Sequence, residues 1–113
     1  MTATGADVFV AAAQHRSTEL FPGCHGRFVH GENITIAHWR LAAGAEIPLH
    51  DHPHEQAVNL LTGSFEVRVG DDTYLMSPGD TVVIPGGVPH SARAITEVRC
   101  IDIFHPVRED YRL

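Results

Sequence analysis

The chain has 113 residues, eight basic and fourteen acidic, for a net charge of −6 at pH 7, and every basic residue is Arg. The absence of Lys excludes Schiff-base and pyridoxal chemistry, which need a lysine amine. The acidic balance argues against nucleic acid as a partner, because phosphate backbones call for a basic face.

A chain of this length fits a single domain, and no stretch approaches the ~18 apolar residues of a spanning helix, so no membrane partner is expected. Val8–Ala13 is apolar, but Asp7 precedes it and no basic residue does, unlike a secretory leader. The expected location is cytoplasmic, with Cys24 and Cys100 as free thiols. Nine histidines are the oddest feature of the composition.

Ala11–Leu20 is the one candidate for a short helix. Beyond it, apolar or alternating runs cover Asn33–Leu41, Gln56–Leu61, Ser64–Val69, Thr73–Met76, Thr81–Ile84 and Glu97–Phe104. Turn residues separate them: Thr62-Gly63, Gly70-Asp71-Asp72, Ser77-Pro78-Gly79-Asp80 and Pro85-Gly86-Gly87. Strands at this spacing predict one all-β domain, a barrel or two-sheet jelly roll. Its core spans about 33–104, with an N-terminal arm over 1–32 and a C-terminal tail over 105–113.

His50 and His52 stand two apart in His50-Asp51-His52-Pro53-His54-Glu55-Gln56. On an extended strand such residues share a face ~6.5–7 Å apart, so two imidazoles can converge on one ion. Gln56 is ~20 Å from His50 if the chain stays extended, too far to share that ion. Pro53 can turn the chain and return Gln56 on a neighbouring strand. His90 follows the rigid corner Pro85–Pro89, which can aim it into the same interior. The bland alternative leaves His50 and His52 flanking an exposed loop.

The spacing Gly44-x5-His50-x-His52-x3-Gln56-x6-Gly63, followed after fifteen residues by Gly79-x5-Pro85-x-Gly87-x2-His90, resembles the two motifs of the cupin family. The resemblance implies a cupin jelly-roll β-barrel of six to eight strands, dimeric, with one divalent transition metal per chain near one mouth. Two positions depart from the full pattern: Gln56 stands where Glu is found, and Ala94 where Asn is found four residues after the second-motif histidine. Glu55 is out of register and leaves its strand on the opposite face. Three neutral imidazoles and a neutral amide leave the ion its whole charge, favouring an anionic substrate and weakening metal retention. Such a donor set suits Fe, Mn, Ni, Co or Zn alike.

Alternation over Val98–Phe104 puts Asp102 on one face with Val98, Cys100 and Phe104. A carboxyl inside an apolar barrel is a candidate general acid or base; the alternative is a structural pairing with a turn or an Arg. Pro106 ends that strand, so the tail can fold across the mouth. Arg108 is then either a carboxylate clamp or a solvated group paired with Glu109 or Asp110. Trp39 is read as core or pocket wall, Arg40 as a solvated or dimer-interface residue, and His15, His25 and His30 as surface groups.

The run Ile101–Tyr111, together with the His50–Gln56 segment, looks like the small cupins (KdgF-type) that open 4,5-unsaturated uronates to linear keto acids. That resemblance implies metal ligation by His50, His52, Gln56 and His90, and substrate roles for Asp102 and Arg108. Asn59 replaces an aromatic often found there. The expected function is metal-dependent isomerisation, a ring opening, of a small anionic carbonyl or sugar acid. An iron dioxygenase and a non-catalytic small-ligand-binding cupin stay as alternatives.

Overall fold

The computed structural model describes residues 8–113. Among these residues there are ten strands: β1 (Thr18–Phe21), β2 (Cys24–His30), β3 (Thr35–Leu41), β4 (Glu46–His50), β5 (Glu55–Thr62), β6 (Phe65–Val69), β7 (Asp72–Met76), β8 (Thr81–Ile84), β9 (His90–Ala94) and β10 (Val98–His105). They form a six-stranded sheet, β1-β2-β3-β10-β5-β8, and a four-stranded sheet, β4-β9-β6-β7. Every pairing is antiparallel. Among the described residues no helix is long and apolar enough to cross a membrane.

The six runs expected from apolar patterning reappear as β3, β5, β6, β7, β8 and β10. Three expectations need correction, the first being the strand number, which is ten among the described residues and not six to eight. Ala11–Leu20 forms no α-helix: a single 3₁₀ turn covers Ala12–Gln14, and Thr18 already begins β1. Tertiary pairing with β2 overrides the weak helical preference of a segment too short to hold itself. Nor are residues 18–30 an arm outside the barrel, because β1 and β2 extend the larger sheet through the register Cys24↔Leu41 to His30↔Thr35. Gly26 interrupts the apolar alternation of β2, and its bare Cα makes room for the rings of Phe28 and Trp39.

The inward faces of the two sheets make one core, with Phe65, Phe104, Leu41, Leu60, Met76 and Ile84 completely buried. Period-two alternation decides what enters it. On β10, Val98, Cys100, Asp102 and Phe104 point inward, and Arg99, Ile103 and His105 are exposed.

Two glycine contacts bring the halves of the site together. A Cβ on Gly86 would run into the Pro53 carbonyl, and the Gly87 N–H donates to His52 O at 2.8 Å. The corner between β8 and β9 therefore sits directly on the loop between β4 and β5, and any side chain at position 86 would push them apart.

Cys24 and Cys100 are both free and buried, and burial pushes both thiols above the ordinary cysteine range. Neither thiol is expected to react with a chromogenic disulfide reagent in the native protein at pH 8, and both should react in denaturant. A fast-titrating thiol in native protein would contradict that burial.

Candidate metal centre

His50 closes β4, and its register partner across the pair is His90, the first residue of β9. His52 lies in the loop just after β4 and is buried, as is His90. One ring nitrogen from each of the three residues falls within 4.8 Å of the others. Gln56 reaches the same place from the opposite sheet: the chain turns at 51–54, and β5 starts beside β8 and β10. The ~20 Å separation of an extended chain is thus removed by changing sheets. Glu55 is exposed and points away.

The hydrogen bonds assign the ring nitrogens. His50 Nδ1 lies 2.8 Å from Pro48 O, His52 Nδ1 3.1 Å from His54 O, and His90 Nδ1 2.9 Å from Val88 O. A backbone carbonyl only accepts, so each Nδ1 carries the proton and each Nε2 presents a lone pair. Burial lowers the pKa of His52 to about 4, helped by Arg108 and His90. Burial likewise lowers that of His90, so both rings are neutral at pH 7. Neutral imidazole with an outward lone pair is the ligating form.

Gln56 is oriented the same way. Its Nε2 donates to Asp102 Oδ2 at 2.9 Å, which leaves Oε1 facing His52 Nε2 at 3.0 Å. Two acceptors then meet with no proton between them, an arrangement that a cation on the lone pairs relieves. His90 Nε2 is buried with no hydrogen-bond partner at all. The donor set therefore fits a divalent transition metal held by His50, His52, His90 and Gln56. The same geometry accounts for Gln where the fuller pattern has Glu: a carboxylate at 56 could not donate to Asp102 and would set two acids at contact distance.

Asp102 sits on β10 opposite Val58 of β5 and Ala37 of β3, one pleat from Gln56 and from Trp39. Burial raises its pKa to about 7 against the opposing pull of the Gln56 amide, the Trp39 indole N–H and Arg108. Its second oxygen, Oδ1, has no hydrogen-bond partner.

The tail beyond β10 folds back over these groups. Thr35 Oγ1 accepts from the Arg108 N–H at 2.8 Å and lies 2.9 Å from His30 Nδ1. The Arg108 guanidinium is buried, 3.9 Å from the centre of the Tyr111 ring and 4.9 Å from that of Phe104. Asp110 takes its Nε (3.2 Å) and Nη2 (2.6 Å), so the pairing foreseen with Asp110 exists on a buried rather than a solvated Arg. Nη1 is buried without a partner.

His50, Gln56, His90, Asp102, Arg108 and Trp39 all line one narrow cavity of about 30 Å³. The partly exposed members of its wall, Ile47, Ser91 and Tyr111 among them, mark the opening. Among the described residues, two buried polar atoms of its lining side chains stand without a partner, Arg108 Nη1 and His90 Nε2; Trp39 Nε1 and Asp102 Oδ1 make no well-formed hydrogen bond, but the indole N–H is close enough to Asp102 to pull its pKa down. The part of Tyr111 and the alignment of each Nδ1 with a carbonyl escaped sequence reasoning, because both depend on register and on a tail fold that no spacing encodes. His54 contributes its carbonyl to His52, while its ring stays outside the cluster. His30, read as a surface group, is half-buried between Thr35 and the Tyr111 carbonyl.

Two facing antiparallel sheets with a histidine triad inside one end define a cupin barrel. The family model for the cupin domain matches residues 37–104, and the chain belongs to that family. The structure is similar to that of KdgF from Halomonas sp., at 30% identity over 90% of this chain and 96% of that one, with a TM-score of 0.85. It is also similar to an RmlC-like cupin from Shewanella frigidimarina, at 27% identity over 91% and 94% of the two chains, with a TM-score of 0.86. In sequence it is 26% identical over 85 residues to the uncharacterised protein SCO3923 of Streptomyces coelicolor, spanning 74% of this chain and 81% of that one.

Proposed function

We propose that this cupin is a metal-dependent isomerase that opens the ring of a small unsaturated uronate. The observation that carries the reading is the meeting of the unpaired Arg108 Nη1 and His90 Nε2 with the buried Asp102 carboxyl in the lining of one cavity. Each unmet buried group costs about 1–3 kcal/mol, and buried polar groups in folded proteins are ordinarily paired. Their chemistry suits a bound anion with a proton to move: Arg108 Nη1 for a carboxylate and Asp102 for an exchangeable proton. The resemblance to KdgF-type cupins, which act on unsaturated uronates, points to the same substrate class.

His50, His52, Gln56 and His90 would hold a divalent metal, which would supply Lewis acidity toward a substrate oxygen. Arg108, fixed by Asp110 and two aromatic faces, orients the substrate carboxylate. Asp102 takes the proton of the ring hydroxyl and delivers it to the enol carbon, so the ring bond breaks while a C–H bond and two carbonyls form. The tail and the apolar walls Phe65, Val67 and Ile84 exclude bulk water from this transfer.

The test is the metal-loaded protein with a 4,5-unsaturated uronate, followed under argon by loss of the ultraviolet enol chromophore. Turnover without oxygen supports the isomerase. Turnover that requires and consumes oxygen replaces it with a dioxygenase, and saturable binding without turnover replaces it with a binding protein.

A further inference from the structure

On the outer face of the six-stranded sheet, away from the barrel interior, cationic side chains stand in register. His25 of β2, Arg40 of β3 and Arg99 of β10 form one cross-strand row, and Arg27 and His38 form part of the next. Like charges directly opposite each other destabilise a sheet, and Arg40 and Arg99 are such a pair. Among the described residues none of Arg27, Arg40 and Arg99 is within ion-pair distance of an acid, in a chain with fourteen acidic residues. Among the described residues the one ion pair on the face is His25–Glu19, at 3.8 Å.

The face also carries an open hollow of about 250 Å³. His15 and Ser17, from the segment before β1, flank it beside the three arginines, His25, His38 and Trp39. His15 Nδ1 is buried there without a partner. His38 is held below the usual histidine value by burial first, then by Arg27 and His15, a sign of how closely the positive groups crowd.

We infer that this hollow is a second binding site, for a small multivalent oxyanion bearing a phosphoryl group. Three guanidinium forks with no acid to satisfy them match a tetrahedral oxyanion, and the volume suits a phosphate or a small phosphate ester rather than a polymer. A symmetric contact between two copies across this face would set arginine against arginine, so an anion answers the charge better than a second protomer does.

The experiment is calorimetric titration of inorganic phosphate, and separately of a sugar monophosphate, into the zinc-loaded protein at constant ionic strength. It compares wild type with the double variant Arg40→Gln/Arg99→Gln. Saturable one-to-one binding weakened about 100-fold or more in the variant supports the site, two charge-assisted contacts having gone. Tighter binding of the ester than of free phosphate identifies an organic phosphate as the occupant, and the reverse identifies the free ion. Without phosphate the variant should melt no lower than wild type, because it loses only repulsion. Equal binding by both proteins places the anion at the metal and overturns the inference. Absence of saturable binding, or a variant that melts lower without ligand, overturns it too.

Discussion

Asp102→Asn is expected to lower turnover of an unsaturated uronate by about 10²–10⁴-fold, the usual worth of a positioned acid–base group, while leaving the metal content unchanged. The amide oxygen of Asn can still accept from Gln56 Nε2, so Gln56 keeps its orientation toward the imidazoles. What disappears is the ability to take and return a proton. Kinetics and elemental analysis on the same preparation check both halves. If turnover survives, Asp102 is not the proton carrier; if metal is lost with it, Asp102 acts by holding Gln56.

The same substitution has a signature in metal-free protein. The folded pKa of Asp102, about 7, lies above its unfolded value. Its contribution is present below the unfolded value and is lost as pH rises from about 4 to 7, amounting to about 4 kcal/mol. His52 runs the other way: its folded pKa of about 4 lies below the unfolded value. Its contribution is present above about pH 6.5 and lost as pH falls toward 4, about 3 kcal/mol over that span. Metal-free wild type therefore carries two opposing slopes in one window. Asp102→Asn should unmask the histidine slope and lose stability more steeply on acidification, as denaturant titration at several pH values would show.

His90→Ala is expected to abolish metal retention. The wild-type protein should hold about one transition metal ion per chain, and the variant essentially none after dialysis. His90 Nε2 has no other partner, so the truncation removes a ligand at the cost of some packing and one hydrogen bond, to Val88 O. The metal-free variant should stay folded. The rise in melting temperature on adding metal, worth about 3–4 kcal/mol at 100–1,000 times Kd, should vanish with it. Metal bound at wild-type stoichiometry in the variant would remove His90 from the ligand set.

Much of this architecture was legible beforehand, and the reasons are local. The strands β6 and β8 announce themselves by apolar runs between glycine-bearing turns, β5 and β10 by apolar runs that Gly63 and Pro106 end, and the paired motif spacings bring His50, His52, Gln56 and His90 onto one page. Alternation alone turned Asp102 inward and Glu55 outward. What stayed hidden depends on partners far along the chain. The strand β1 is only four residues long and β2 is interrupted by Gly26, so only the pairing β1-β2-β3 makes sense of them. The burial of Arg108 requires Thr35, seventy-three residues away, to anchor the tail. The Arg40–Arg99 juxtaposition exists only once the register of β3 and β10 is set.

The three imidazoles are aimed by backbone carbonyls within two residues of themselves. No neighbouring side chain can be exchanged to reaim them without rebuilding the loop. The groups across the barrel, Trp39 and Asp102, are held by side-chain identity on β3 and β10. The barrel is thus divided for evolution: the backbone of one wall keeps three imidazoles aimed while nearby side chains drift, and the other wall, Gln56 excepted, is free to try new chemistry beside them.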